Sequence, residues 1–247
     1  MSLPGEWVVP DWPAPARVRA FVTTRAGGVS AGEYASMNLG GSSGDEEENV
    51  SRNRHIVRTH MPSDPIYLAQ VHGNDVVDLD APRVPGRPRA DAAVTATPGT
   101  VAVVLTAVCL PLFLADKAGR RVAVAHAGWR GLAAGVVEQA LAALRAEPRD
   151  VVAWMGPAIG PRAFEVGPEV KEAFERSDPG AGAAFADHKP GKFMADLYAL
   201  ARRRLARAGV QGIHGGNFCT YTDTVRFFSY RREQRSGRMG AFIWMEP

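Results

Sequence analysis

Residues 101–137, VAVVLTAVCLPLFLADKAGRRVAVAHAGWRGLAAGVV, decide the fold of this chain of 247 residues. Two apolar runs, residues 101–107 and 110–115, have the length and composition of buried strands. A polar turn separates the second run from a third strand that ends near His126. Apolar residues at helical spacing then predict one helix over residues 129–145. Strands joined by tight turns and followed by a helix predict a sheet with helices packed against it.

Three side chains that bind metals well stand at the ends of predicted strands. Cys109 lies between the first two strands of the stretch, His126 follows the third, and His72 follows another predicted strand, residues 66–71. Two imidazoles and one thiolate suit zinc, and three protein ligands leave a fourth position for water or substrate. Two other interpretations are open at this point. Cys109 and the histidines can be ordinary core and strand-capping residues, or Cys109 and His126 can form a thiolate–imidazole pair without metal.

The remaining elements alternate irregularly between helix and strand, which predicts an α+β fold with mixed sheets. A helix is expected over residues 195–208, after a polar linker, and a strand over residues 225–230. No segment is long and flexible enough to separate two domains. We therefore expect an N-terminal arm of residues 1–17, rich in proline and tryptophan, and a single catalytic domain of residues 18–247.

Composition is that of an ordinary globular protein, and we expect the chain in the reducing cytoplasm. It has two cysteines, a net charge of +3, and a start without the apolar core of a signal peptide. No run reaches the roughly 20 apolar residues of a membrane helix. Arginine clusters at residues 202–204 and 231–232 lack interleaved aromatic residues, so we expect no nucleic-acid partner. A single disulfide between Cys109 and Cys219 is possible in principle, but a core of this size does not require it.

The segment HAGWRG, residues 126–131, has a second interpretation that involves no metal. A glycine-rich turn into a helix exposes backbone N–H groups to an anion, and Arg130 can add a bidentate contact to phosphate. Alternatively, the glycines only permit close packing. The segment is neither G-x-G-x-x-G nor a P-loop, so it does not predict a nucleoside triphosphate site.

A series of further strings, in order along the chain, carries a family resemblance. They are Thr24-Arg25 with Gly27-Gly28-Val29-Ser30, QVHGNDV, LTAVCLPLFLAD, VAVAHAGWRGLAAGVV, MGPAIGPRAFEVG, DLYALARRRL, CTYTDTVRFFSYRRE and Gly237-Arg238-Met239. The chain resembles the bacterial multicopper-polyphenol-oxidase or laccase-domain family, also called the YfiH-like or peptidoglycan editing factor family. The resemblance extends from about residue 21 to the C-terminus.

This resemblance implies a four-layer α/β/β/α fold, similar to the catalytic domain of cytotoxic necrotising factor toxins. It also implies a zinc site formed by His72, Cys109 and His126. The activities implied are phosphorolysis of adenosine, inosine, guanosine and methylthioadenosine, and deamination of adenosine. Two positions depart from the family pattern. Val108 stands where aspartate is usual, and residues 42–45, Ser-Ser-Gly-Asp, stand where H-V-G-D is usual.

The resulting hypothesis is a zinc-dependent purine nucleoside phosphorylase with adenosine deaminase activity, a monomer or weak homodimer whose partners are the nucleoside and phosphate. The H-x-E signature of zinc deaminases is absent, and Asp91 is the candidate general acid or base, with a structural role in its strand as the alternative. We expect Arg25 and Arg130 to hold phosphate. We expect Gln70 and Asn38 to contact ribose or base.

Two other functions are considered. A copper-dependent phenol oxidase is one, but the six histidines are scattered and contain no H-x-H pair of the kind that multicopper oxidases use. Copper bound at the Cys/His site is still chemically reasonable, since copper binds such ligands tightly. The other is a factor that edits or binds peptidoglycan precursors, whose anionic character would suit the mild positive charge.

Overall fold

A computed structural model of the chain describes residues 6–82 and 86–246. The strands are β1 Val18–Val22, β2 Ile66–Tyr67, β3 Val76–Asp78, β4 Ala92–Thr95, β5 Ala102–Thr106, β6 Leu110–Asp116, β7 Val122–Ala127, β8 Val151–Met155, β9 Glu165–Val166, β10 Phe185–Lys189, β11 Lys192–Ala195, β12 Gly212–Gly215 and β13 Met239–Met245. The helices are α1 Glu47–Arg58, α2 Trp129–Ala134, α3 Val136–Leu144, α4 Pro168–Glu175 and α5 Leu197–Arg207. Short 3-10 turns lie at Gly32–Tyr34, Pro148–Asp150 and Pro179–Ala184.

The described strands form three sheets. One has four strands in the order β1-β13-β5-β2, and a second has six in the order β12-β8-β6-β7-β4-β3. The third, β10-β11-β9, has three. Most neighbours are antiparallel, but β2 runs parallel to β5, β3 to β4, and β12 to β8. The prediction of an α+β fold with mixed sheets is confirmed.

Side-chain alternation divides the interior into three apolar layers. Along β13, Met239, Ala241 and Ile243 face the six-stranded sheet, whereas Phe242 and Trp244 face α1. Both sheets therefore bury both faces: α1 covers the outside of the four-stranded sheet, and α3 with α5 covers the outside of the six-stranded sheet. Strands that are apolar on both faces are expected in such a sandwich. The order of layers is α/β/β/α, as predicted.

The stretch of residues 101–137 passes from one sheet to the other. β5 belongs to the four-stranded sheet, and β6 and β7 belong to the six-stranded sheet, so residues 107–109 form the crossing. A second crossing follows β2 and leads to β3. His72 lies in this second crossing, and Cys109 lies in the first. Both crossings reach the same edge of the sandwich, which is how residues far apart in the sequence become neighbours.

The helix predicted over residues 129–145 is interrupted. Gly135 has a φ of +97°, ends α2 and begins α3. A left-handed backbone conformation carries little steric cost at a glycine. Because apolar residues continue at helical spacing on both sides of Gly135, the sequence pattern does not indicate the break. Both helices still pack on the six-stranded sheet, with Leu132, Val136 and Val137 fully buried.

Two predictions in the C-terminal half of the chain were wrong: the strand over residues 225–230 and the absence of regular structure in the linker before α5. Residues 225–230 form a loop, although Phe227 and Phe228 are completely buried. Arg232 fixes this loop by donating hydrogen bonds to the carbonyl oxygens of Thr220, Tyr221 and Phe227. The polar linker before α5 contains the hairpin of β10 and β11, whose outer strand is largely exposed and therefore lacks an apolar pattern.

Part of the predicted N-terminal arm is described. Trp7 stacks on Phe21 with ring centroids 4.7 Å apart, and Val8 forms a bridge with Val22. Residues 1–5 of that arm lie outside the described residues. In the described part of the chain, no helix combines the length and apolarity needed to cross a bilayer.

Candidate metal centre and active site

The three candidate ligands converge because of strand register. β6 pairs with β7 so that Leu110 faces Ala127 and Pro111 faces His126, which puts Cys109 beside the end of β7. His72 approaches from the other crossing. Its ring centroid is 4.8 Å from that of His126, at an interplanar angle of 76°. One ligand atom from each of the three residues lies within 4.8 Å of the other two.

Two glycines allow this convergence. A Cβ atom on Gly128 would lie 2.8 Å from Sγ of Cys109 and 3.3 Å from Cδ2 of His72. A Cβ atom on Gly131 would lie 2.5 Å from the carbonyl oxygen of Gly73. These distances are shorter than normal carbon contacts. Of the two interpretations of the HAGWRG segment, the contacts favour close packing over an anion site at the start of α2.

Asp91 orients His72 and His126 through hydrogen bonds on the side away from the pocket. It immediately precedes β4, which pairs with β7, and its backbone oxygen accepts a hydrogen bond from the His126 N–H at 2.7 Å. Its fully buried carboxylate contacts Nδ1 of His126 at 2.8 Å and accepts the backbone N–H groups of residues 71, 72 and 73. These three bonds hold His72 in a left-handed conformation, with a φ of 61°. Because Nδ1 of His126 is engaged, Nε2 is the nitrogen left for a metal.

The electrostatics couple Cys109 and His126 in the metal-free site. Burial raises the pKa of the Cys109 thiol, but the charge of His126 and hydrogen bonds from both histidines outweigh burial and bring this pKa to about 6. Burial lowers the pKa of His126, whereas the Cys109 thiolate and the Asp91 carboxylate raise it to about 9. The two groups thus stabilise each other as a thiolate and an imidazolium, and a thiolate is the form that binds metal.

The residues fit a metal ion better than either alternative. A histidine whose second nitrogen is held by a carboxylate is the usual arrangement of a metal ligand. A Cys–His pair without metal does not account for His72, whose unusual backbone conformation brings it to the same point. Both cysteines are free, so Cys109 is available. The set is Cys and two His, which leaves a fourth tetrahedral position open to water or substrate.

The ligands lie on the wall of a pocket of about 620 Å³. The lining comes from both sheets, from the loop of residues 40–43 and from the segment before β13, and consists of Gly40, Gly41, Ser42, Ser43, Gln70, His72, Arg87, Leu105, Thr106, Ala107, Val108, Cys109, His126, Tyr230, Gln234, Ser236 and Arg238. Two arginines line the pocket, and none of its described lining residues is aspartate or glutamate. The pocket therefore favours an anionic ligand.

Four residues were predicted to contact substrate, and Gln70 is the one that lines this pocket. Its side-chain amide donates to the carbonyl oxygen of Leu105 at 2.9 Å and accepts the backbone N–H of Leu105 at 2.8 Å. The amide thus bonds to β5 as a neighbouring strand would. Arg25 lies elsewhere, donating to the carbonyl oxygens of Ala35 and Thr224 and packing over Phe228. These contacts make Arg25 a link between loops.

Asn38 and Arg130 also lie outside the pocket lining. Asn38 is completely buried, and both ends of its amide are hydrogen-bonded within the protein. Arg130 is exposed on α2 and stacks over Trp129 at 4.5 Å. Asp91, predicted as a general acid or base, is separated from the pocket by His126 and uses both carboxylate oxygens in the contacts described above.

Sequence reasoning missed Thr106, Tyr230 and Arg238. Thr106 is 2% exposed, lines the pocket, and its hydroxyl has no hydrogen-bond partner among the described residues. Arg238 packs over Tyr230 with the guanidinium carbon 5.5 Å from the ring centroid. Thr106 faces Met239 across β5 and β13, and this pairing brings Thr106 and Arg238 to the same pocket. That pairing is not visible in the sequence.

Comparison with known proteins identifies relatives over nearly the whole chain. The family model described as multi-copper polyphenol oxidoreductase laccase matches residues 19–246. A purine nucleoside phosphorylase of Pseudomonas aeruginosa is 51% identical over 97% of this chain and 98% of its own length. Purine nucleoside phosphorylase YfiH of Escherichia coli is also 51% identical, over 96% of this chain and 98% of its own.

Solved structures agree with this relationship. The crystal structure of a Neisseria meningitidis protein, 47% identical, superposes with a TM-score of 0.93 over 98% of this chain and 100% of its own. YlmD from Geobacillus stearothermophilus, 28% identical, superposes with a TM-score of 0.91 over 100% of this chain and 98% of its own. The chain therefore belongs to the YfiH-like family, described as the multi-copper polyphenol oxidoreductase laccase family.

Proposed function

We propose that this protein is a metal-dependent purine nucleoside phosphorylase. The observation that carries the proposal is the pocket itself, where a Cys/His ligand set and two arginines line one cavity without a carboxylate among its described lining residues. The curated relatives named above carry this activity in their names. A cavity of about 620 Å³ is of the size that accepts a small ligand such as a nucleoside together with phosphate.

The reaction joins two substrates in this cavity. An oxygen of phosphate attacks C1′ of the ribose, and the C1′–N9 bond breaks with its electron pair going to the purine. The purine takes up a proton, and the products are ribose 1-phosphate and free base. A bound metal would supply positive charge that polarises a substrate oxygen or lowers the pKa of water. The protein's part is to orient the substrates and to place positive charge beside the phosphate.

Zinc is the metal that we propose, held by His72, Cys109 and Nε2 of His126. One thiolate and two imidazoles are a common zinc set, and copper binds the same ligands tightly. Copper-dependent phenol oxidation is less well supported. The described residues contain a single group of three possible ligands, whereas a multicopper oxidase needs histidines for a type-one centre and a trinuclear cluster.

Adenosine deamination is the second activity predicted by the family resemblance. Zinc deaminases use a glutamate beside the metal as general acid and base. The described pocket lining contains no carboxylate, and the buried Asp91 is already saturated by hydrogen bonds. The pocket therefore supports phosphorolysis more strongly than deamination. An editing or binding role towards peptidoglycan precursors has only the positive charge of the pocket in its favour.

The test is a product assay on metal-free protein reloaded with zinc or with copper. Adenosine, inosine, guanosine and methylthioadenosine are each incubated with and without phosphate, and free base, inosine and ribose 1-phosphate are separated by chromatography. We expect zinc-dependent formation of free base only when phosphate is present. Cys109→Ala should abolish this formation, and Cys219→Ala, which removes the free cysteine outside the pocket, should not.

Other results would lead to other conclusions. Phenol oxidation that follows copper, without nucleoside turnover in any metal form, would replace the proposal by an oxidase. Inosine formation without a requirement for phosphate would replace it by a deaminase. Lack of turnover of every substrate, with Cys109→Ala indistinguishable from the parent, would favour a binding or editing role.

A further inference from the structure

We propose that Arg238 and the loop of residues 40–43 form the subsite that binds inorganic phosphate. The inference rests on the proposed phosphorolysis, and it moves the phosphate away from Arg25 and Arg130, where the sequence had suggested it. Three observations support it. The charge of Arg238 has no carboxylate partner among the described residues, the loop offers N–H and hydroxyl donors to the pocket, and Asn38 holds the loop and Arg238 together.

Arg238 is a partly buried cation without a carboxylate partner among the described residues. Its Nη1 donates to the carbonyl oxygens of Ser236 at 2.6 Å and Gly237 at 3.1 Å. Within residues 6–82 and 86–246, no carboxylate lies within 4.0 Å of its guanidinium, whereas Arg203 and Arg204 pair with Asp178 and Glu138. Burial lowers the pKa of Arg238, which reflects the cost of removing this charge from water. An anion in the pocket would offset that cost.

The loop of residues 40–43 lies directly on Arg238 and presents donors of its own. A Cβ atom on Gly40 would be 2.6 Å from Cγ of Arg238, so glycine allows this contact. Gly41 and Ser42 are exposed, and their backbone N–H groups and the Ser42 hydroxyl donate to no acceptor among the described residues, so these donors are open to a ligand. Ser42 and Gly41 both line the pocket. Successive free N–H groups in a turn beside a guanidinium form a concave site for an oxyanion.

Asn38 holds the loop and Arg238 in place. Its Oδ1 accepts the backbone N–H of Gly40 and the backbone N–H of Arg238, both at 2.9 Å. Its Nδ2 donates to the Ser43 hydroxyl at 2.8 Å and to the Asp45 carboxylate at 2.9 Å. Asn38 is therefore a positioning residue of the phosphate subsite rather than a contact to ribose or base.

The subsite adjoins the metal ligands. Met239, which follows Arg238, faces Thr106 across β13 and β5, and Cys109 is three residues beyond Thr106. Tyr230, which packs on Arg238, donates its backbone N–H to the carbonyl oxygen of Ala107 at 3.2 Å. Phosphate held by Arg238 would thus lie in the same cavity as a nucleoside at the metal centre, as attack on C1′ requires.

The experiment compares Arg238→Gln with Arg235→Gln, a matched control that removes an exposed arginine outside the pocket lining. For a charged hydrogen bond we expect Arg238→Gln to raise the KM for phosphate about 10- to 100-fold. The KM for nucleoside and the zinc content should change little. Arg238→Lys, which retains the charge but not the planar fork, should recover part of the loss. Arg235→Gln should behave as the parent.

Equal changes in the two KM values, or an unchanged KM for phosphate, would overturn the inference. Binding of inorganic phosphate to the zinc-loaded protein, measured by calorimetry without nucleoside, separates this inference from the proposed function. If the parent binds phosphate and Arg238→Gln does not, the subsite stands even where turnover fails. If both proteins bind phosphate equally, the subsite is wrong even where turnover succeeds.

Discussion

The Asp91 carboxylate contacts Nδ1 of His126 at 2.8 Å and, with the same two oxygens, accepts the N–H groups of residues 71–73. One buried side chain therefore orients two of the three candidate ligands. Burial raises the pKa of Asp91, but the hydrogen bonds from His126, Gly73 and Val71 together hold it below its usual range. Such carboxylate–histidine contacts fix the ring and its tautomer.

Asp91→Asn should weaken both the metal site and the fold. An amide at this position turns a donor towards the backbone N–H groups and no longer stabilises charge on His126. We expect zinc affinity to fall about 10- to 100-fold and the free energy of unfolding to fall by about 3 kcal/mol. Competition with a chelating dye and thermal unfolding measure the two effects.

Asp116→Asn is the control for this variant. Asp116 is also buried, at 2% exposure, and accepts the Ala118 N–H in a turn far along the strand from the site. The Asp116→Asn variant should be less stable than the parent and should keep the parental affinity for zinc. If Asp91→Asn retains the parental affinity for zinc, Asp91 does not position the ligands.

The pH dependence of the Cys109 thiolate follows from its lowered pKa. In metal-free protein carrying Cys219→Ser, thiolate absorbance in the ultraviolet should persist as pH falls and disappear near pH 6. The thiolate is present above this pKa and protonated below it, and His126, whose pKa is raised to about 9, must lose a proton before Nε2 can bind zinc. Zinc affinity should therefore fall as pH drops below about 9, and fall more steeply as pH drops through 6. His126→Gln removes the neighbouring positive charge, and the transition should move towards the ordinary pKa of cysteine. A transition that His126→Gln leaves unmoved would contradict the coupled pair.

Gly128→Ala should disturb the metal centre more than the fold. Its backbone φ of −65° suits alanine, but the added methyl group would lie 2.8 Å from Sγ of Cys109. We expect zinc affinity to fall at least tenfold, as for other changes beside metal ligands, by about 1.4 kcal/mol or more. Gly73→Ala is the matched control, because its nearest neighbours would be 3.5 and 3.6 Å away. Equal zinc affinities in the two variants would contradict the role of Gly128.

The strands around the candidate ligands were predictable because they depend on local pattern, whereas the convergence of the ligands depends on two crossings between the sheets. Residues 101–137 showed two strands with Cys109 between them, and the structure has β5 and β6 at almost the same bounds. The break at Gly135 was not predictable, since apolar spacing continues across it. The apolar residues Phe227 and Phe228 led to the wrong prediction of a strand, because a buried loop can carry the same pattern. Hydrogen bonds from Arg232 hold this loop in place.

The lining of the pocket was less predictable because it depends on long-range register. Arg25 and Arg130 have the right chemistry for phosphate, but other carbonyl groups and rings engage them. Arg238 lies 200 residues from Asn38 in sequence, and a hydrogen bond joins them. The missing information was which strand ends meet. Local patterns cannot provide it.

Thr106→Val should change the KM for nucleoside without lowering the free energy of unfolding. The Thr106 hydroxyl is buried without a partner among the described residues, so replacing it with a methyl group of similar shape removes an unsatisfied polar group. We expect stability to stay within about 0.5 kcal/mol of the parent or to rise slightly. If the hydroxyl bonds substrate, the KM for nucleoside should rise about tenfold. Ser229→Ala removes a second buried, unpartnered hydroxyl outside the pocket lining and should leave KM unchanged.

Val108 offers a test of the proposed preference for phosphorolysis over deamination. It lines the cavity next to Cys109, at the position where the family resemblance led us to expect aspartate. General acid–base catalysis by a carboxylate contributes about 10²- to 10⁴-fold, and deamination needs such a group beside the metal. Val108→Asp should therefore raise the rate of inosine formation from adenosine at least about tenfold, measured by chromatography without phosphate. Val108→Asn, similar in shape but not ionisable, should give no increase. A rise in both variants, or in neither, would mean that the missing carboxylate does not limit deamination.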